Sequence, residues 1–173
     1  MPPMPSRDFA AFDPLAILTS LREVEYLVVG GFAAVLYGSP TTTGDLDVMP
    51  RADAANLARL AGVLAALDAV VREPASSGRR LAVTLDLLRR SAAAESPGGQ
   101  LRTRTTAGPI DVLWRLHDGR RYEDLVGRSA ELSEDELRVR VLGLDDLIDV
   151  KASVGRPQDL LVLPYLREIR RRA

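Results

Sequence analysis

Apolar and polar positions recur along the chain with two different spacings, and the changes of spacing mark the elements. Asp13-Pro14 supplies an N-cap followed by proline at the first helical position, so LAILTSLREV predicts a helix. EYLVVG reads as a short buried strand; Gly30-Gly31 breaks it and opens a second helix over FAAVLY. Gly38 and the turn-forming Ser39-Pro40 end that helix, and DLDVMP predicts the next strand, closed by its proline. Residues 52–69 carry apolar side chains at helical spacing with polar positions on the other face. RRLAVTLDLLRRSAAAE fits a helix throughout or a helix with part strand, and SPGG at 96–99 is a break. QLRTRTT, a turn at Ala107-Gly108-Pro109 and IDVLW together predict a β-hairpin. YEDLVGRSA predicts a short helix and ELRVRVLG a half-exposed strand. LDDLIDVKASV and PQDLLVLPYLREIRRR predict two closing helices, parted by the turn Gly155-Arg156-Pro157.

These elements define a mixed α/β (α+β) domain over residues 13–173, helical at its C-terminal end from about 143, with residues 1–12 and their three prolines as a loose arm. The length suits one domain with a real core, and there is no internal repeat or low-complexity segment. No apolar run approaches the roughly 20 residues of a membrane span, and MPPMPSRDFAAF lacks the layout of a signal peptide, so a cytoplasmic location is expected. The chain has no cysteine, which excludes disulfides, thiolate metal sites and a cysteine nucleophile. Its net charge of −1 gives no whole-molecule attraction to nucleic acid. Of the 23 basic residues 22 are arginine, and the lone lysine, Lys151, therefore stands out: a compact ammonium is present where the chain otherwise uses a guanidinium fork.

Candidate chemistry gathers around Asp45 and Asp47. Alternation in the predicted strand sends both carboxylates to one face, where like charges repel and a divalent cation is the simplest partner. A third acid, Asp111, lies inside the apolar strand IDVLW. Gly30-Gly31, at a helix start, offers free amides and a close backbone approach, hence a phosphate seat. Carboxylates bind Mg²⁺ through one or two oxygens and leave positions for substrate phosphates and water; two such ions hold the attacking and the leaving oxygen of an in-line displacement. A phosphate seat plus an acid trio points to phosphoryl or nucleotidyl transfer. His117 is read as a loop residue, Trp114 as core, and Arg170-Arg171-Arg172 as a solvated helix end.

The order Gly30-Gly31, thirteen residues from Phe32 to Gly44, then Asp45-Leu46-Asp47-Val48 resembles the motif of the DNA-polymerase-β-like nucleotidyltransferase superfamily. AGPIDVLW and VRVLGLDDLIDVKASVGRPQDLLVLPYL extend the likeness over most of residues 25–166, toward the small bacterial AbiEii-like and MenT-like members. The resemblance implies a mixed sheet flanked by helices and Mg²⁺, two ions, on Asp45, Asp47 and Asp111. It also implies a nucleoside triphosphate held by Gly30, Gly31, Ser39, Lys151, Arg156 and Asp159. It further implies an RNA acceptor, the 3′ end of tRNA, and a role as the toxin of a toxin–antitoxin pair with a cognate antitoxin. Relatives commonly carry a basic residue in the turn before the paired acids; here Thr41 takes that place, so part of the triphosphate grip is either missing or supplied by Ser39, a threonine hydroxyl or Lys151. Phosphorylation at Thr41, Thr42 or Thr43 would add about −1.5 to −2 charge beside two carboxylates and is expected to silence the site. Two other readings remain: an aminoglycoside-type transferase acting on a small molecule, against which the arginines of QLRTRTT and DGRRYEDL favour a polyanion, and a non-catalytic antitoxin of the same fold.

Overall fold

The computed structural model describes residues 11–72, 80–94 and 99–173, with Glu134 described by its backbone alone. Most of the loose-arm segment and the SPGG break therefore lie outside the described residues. Phe12, the last residue of the arm, packs edge-on against Phe32 with ring centroids 6.0 Å apart.

Strand β1 (Tyr26–Val29) runs directly into helix α2 (Gly30–Leu36), and β2 (Leu46–Pro50) returns antiparallel to β1. The other strands are β3 (Val70–Val71), β4 (Gln100–Thr105), β5 (Gly108–Leu113), β6 (Ala130–Glu134) and β7 (Leu137–Val141). They join one mixed sheet in the order β3-β4-β5-β2-β1-β7-β6. The pairings β2–β5 and β1–β7 are parallel, whereas β4–β5 and β6–β7 are antiparallel hairpins. The central strands are apolar on both faces, with Leu27, Val28, Leu46, Val48, Met49, Ile110 and Val112 fully buried, as a sheet covered on both sides requires.

Helices α1 (Pro14–Ser20), α3 (Ala54–Ala66) and α4 (Leu85–Ala93) begin at Asp13, Asp53 and Thr84, whose side chains accept from amides of their first turns. Buried Asn56 accepts from the Glu25 amide and donates to the Glu25 and Arg51 carbonyls, pinning α3 to the ends of β1 and β2. A short helix α5 (Tyr122–Leu125) leads to the β6–β7 hairpin. The chain ends in α6 (Leu144–Val154) and α7 (Pro157–Arg172), separated at Gly155, whose φ of 63° is left-handed. No described helix is long and apolar enough to cross a membrane.

Two expectations shift. The first is that the hairpin partner β6 has no counterpart in the sequence reading, because AELSE at a sheet edge carries only one large apolar residue. The second is that β2 begins at Leu46 and not at Asp45: β1 ends opposite Asp47, so Asp45 has no strand beside it on that flank and belongs to the preceding turn.

Candidate active site

The ends of β2 and β5, the turn before β2 and the start of α7 enclose a cleft of about 700 Å³. Asp47 points into it from β2. On the neighbouring parallel strand Asp111 lies in register with Asp47, so the two carboxylates share one face of the sheet. Asp45 reaches the same cleft from the turn.

The cations of the cleft do not fully offset the burial and mutual repulsion of these acids. Burial, then repulsion from Asp45 and Asp111, pushes the Asp47 carboxyl up to about 7. The Gly31 amide, which faces the carboxylate, and the Arg156 guanidinium offset only part of that rise. Asp111, 4% exposed, is raised chiefly by burial as well, with Asp45 adding to it and Arg72 and Arg102 opposing it. Its Oδ2 accepts from Gln100 Nε2 at 2.9 Å, while both arginines stay 3.9 Å away. Its Oδ1 is buried with no hydrogen-bond partner; the Thr103 amide lowers the pKa from nearby without reaching bonding geometry. A native structure seldom leaves such an atom orphaned without a ligand to meet it.

The donor set therefore fits a hard divalent cation in its chemistry. Among the described residues no three acidic or imidazole side chains converge closely enough to form a ready-made metal cage. That spacing accords with Mg²⁺, which takes one or two protein carboxylates and completes its shell from substrate phosphates and water.

Gly30 is required by this geometry on two counts. Its φ is +66°, and a Cβ there would collide with the Asp47 carboxylate. Gly31 lines the cleft, but its amide is turned to Asp47, so the helix start serves a side chain as well as any phosphate. Ser39 is buried behind the turn and does not line the cleft; its hydroxyl pairs with Thr41 Oγ1 at 3.0 Å. Thr41, Thr42 and Thr43 all line the cleft, with Thr42 the exposed one.

Lys151 is not a solvated helix residue. It is 6% exposed on α6, with Nζ 3.0 Å from Oδ1 of Asp159, itself 1% exposed. Arg156 Nε meets the other oxygen of Asp159 at 2.7 Å. Burial alone would raise the Asp159 carboxyl, but hydrogen bonds from Arg156 and Lys151 hold it below its ordinary value. The three side chains form a unit of net charge +1 across the cleft from the acids, and Arg156 feels both Asp45 and Asp47.

The opposite wall carries two arginines, Arg72 after β3 and Arg102 on β4, with Gln100 beside them; the sequence pointed the arginines of QLRTRTT toward a polyanion but placed none of these three residues beside the acids. A signal for Arg102 existed. The tight hairpin turn at Ala107-Gly108 sets a register that places Arg102 directly across from Asp111. No local pattern gives Arg72, which arrives from the edge of the sheet. Arg120 of DGRRYEDL is engaged by Asp118 and Asp146 and does not face the cleft. His117 hydrogen-bonds Ser153, and Trp114 is buried with its indole donating to Ser91. A second cleft, about 670 Å³, lies at the far end of β1; its Arg51 and Arg140 are paired with Glu25 and Glu131, which leaves no acid pair unmet there.

The sheet and its helices are those of a nucleotidyltransferase fold. The crystal structure of a candidate nucleotidyltransferase from Thermotoga maritima matches this chain with a TM-score of 0.53, over 88% of this chain and 89% of that one, at 16% sequence identity. No family model and no curated protein matches the chain. At that identity the likeness establishes the fold, and the activity has to be argued from the cleft.

Proposed function

We propose that the protein is a Mg²⁺-dependent nucleotidyltransferase that moves a nucleoside monophosphate from a nucleoside triphosphate onto an acceptor hydroxyl and releases pyrophosphate. The observation that carries this reading is the in-register pair Asp47 and Asp111, with an orphaned carboxylate oxygen, at the floor of a cleft with a cationic wall on each side. Asp45, Asp47 and Asp111 would share two Mg²⁺ ions, which when bound would neutralise charge on the phosphates and on the entering and leaving oxygens. Asp111, raised by burial, accepts the proton of the acceptor hydroxyl as its oxygen bonds to the α-phosphorus. The bond from that phosphorus to the pyrophosphate oxygen breaks, and the Lys151–Arg156 wall faces the charge that leaves.

The Arg72 and Arg102 wall supports an anionic acceptor over a cationic small molecule. With the resemblance to the AbiEii-like and MenT-like proteins, this favours RNA, the 3′ end of tRNA, as acceptor, and a role as the toxin of a pair whose antitoxin silences it. Phosphorylation of Thr41, Thr42 or Thr43, which line the cleft, would add negative charge beside the acids and shut the site; Thr42 offers the most accessible hydroxyl. The test is incubation with each α-labelled nucleoside triphosphate, Mg²⁺ and total RNA, with and without a chelator. Label on RNA, lost with chelator and in Asp47→Asn, is the expected result. Label on an aminoglycoside alone would replace the acceptor, and no label with any triphosphate would refute the activity.

A further inference from the structure

Two acids of the cleft are each held at one oxygen by an uncharged donor. Thr43 Oγ1 donates to Asp45 Oδ1 at 2.7 Å, and Gln100 Nε2 donates to Asp111 Oδ2 at 2.9 Å. Among the described residues the second oxygen of each carboxylate accepts no hydrogen bond. A hydroxyl or an amide fixes the direction of a carboxylate without cancelling its charge. A guanidinium at bonding distance would do both, and here the nearest guanidiniums to Asp111 stand off at 3.9 Å.

Packing places the first donor and strand register the second. The Thr43 hydroxyl lies against the first turn of α2, so close that a Cβ on Gly31 would sit 3.1 Å from it. Its neighbours in the run of threonines do other things: Thr41 pairs with Ser39, and Thr42 is exposed. Gln100 opens β4 opposite Leu113, one diagonal step along the hairpin from Asp111, within reach across the same face.

We propose that Thr43 and Gln100 are positioning residues: each pins one oxygen of Asp45 or Asp111 and leaves the other, still charged, without a hydrogen-bond partner, as a ligand for a divalent cation. The inference rests on the nucleotidyl-transfer reading. It predicts that loss of either donor weakens metal uptake more than it affects folding, by about tenfold or more.

The experiment uses the full chain and Mn²⁺ as the probe, with bound metal read by electron paramagnetic resonance and nucleotide transfer measured in parallel. Thr43→Val removes the hydroxyl at nearly constant shape, Thr43→Ser keeps it, and Gln100→Leu removes the amide at an exposed strand end where folding is not at stake. The Mn²⁺ dissociation constant should rise about tenfold or more in Thr43→Val and in Gln100→Leu and stay within twofold of wild type in Thr43→Ser. Transfer by the two weakened variants should recover as Mn²⁺ is raised. Wild-type affinity in Thr43→Val or in Gln100→Leu overturns the role of that residue and leaves the transferase reading standing. A Thr43→Ser protein as weak as Thr43→Val overturns the hydroxyl as the cause. A wild-type protein that takes up no Mn²⁺ and transfers no nucleotide overturns both readings together.

Discussion

Replacing Asp47 by asparagine should make the metal-free protein more stable at neutral and alkaline pH. The native fold raises this carboxyl from 3.8 to about 7 through burial and the charges of Asp45 and Asp111. A folded-state pKa above the unfolded one means that the native protein binds the proton more tightly. The stability this confers is complete below pH 3.8 and is lost as pH rises through about 7. Above that pH the ionised side chain costs the fold up to about 4 kcal/mol relative to a neutral one, since each tenfold change in proton affinity is worth about 1.4 kcal/mol. Asp47 is only half-buried and the nearby Arg156 can shift toward it, so about 2–4 kcal/mol is the expected range. Asparagine keeps the shape and an acceptor for the Gly31 amide while removing the charge. In a chelator-treated sample at pH 8, Asp47→Asn should melt roughly 5–15 °C above wild type. The gap should close toward pH 4, and Mg²⁺ should narrow it at pH 8 by stabilising wild type alone. Calorimetric melts of both proteins from pH 4 to 8 decide the matter. Equal melting at pH 8, or a gap that ignores pH, would refute the claim that burial and the neighbouring acids raise the Asp47 carboxyl.

Asp111→Asn removes a second buried carboxyl raised by burial, so melting of the metal-free protein at pH 8 should not fall, while transfer at saturating triphosphate should drop by about 10²–10⁴-fold if its carboxylate accepts the acceptor's proton. Gly30→Ala should destabilise by about 1–3 kcal/mol through its positive φ alone and displace Asp47 as well, so denaturant titration and transfer should both register the loss. Lys151→Arg puts a longer planar cation into a site only 7% exposed beside Asp159; with melting checked first, a rate loss of about a hundredfold is expected, and activity within twofold of wild type would remove Lys151 from the mechanism. Thr42→Glu, carrying part of a phosphate's charge at the exposed threonine, should raise the KM for the triphosphate, and an unchanged KM would count against regulation through this turn.

Most of the fold was legible in the sequence because its elements are bounded by strong local chemistry. Asp13 caps α1, Gly108 turns the β4–β5 hairpin and Gly155 parts α6 from α7, whereas the caps Asp53 and Thr84 went unread and the start of α4 stayed open. Long apolar runs such as YLVV and PIDVL sit at the centre of the sheet, where burial on both faces lets them read as strands without alternation. Edge strands give a weaker signal. β6 pairs along only one side and β3 has two residues, so neither is under pressure to be uniformly apolar.

The acids could be read from the chain because each departs from its surroundings: a charge inside an apolar strand demands an explanation wherever it occurs. Their counter-charges do not depart from anything. Arg72 and Arg102 are two among 22 arginines, and only the sheet order, which brings β3 and β4 alongside β5, makes them the wall opposite Lys151 and Arg156. Lys151 shows the limit from the other side. Its rarity in the sequence drew attention to it, and it does line the cleft, yet composition could not say that its ammonium would be buried against Asp159. That pairing changes what the lysine can do: with Asp159 between Lys151 and Arg156, the wall presents one net positive charge where two would stand without the acid. A single shared charge attracts a phosphate group less strongly than two free cations would; in the proposed reaction it would therefore release a departing pyrophosphate more readily.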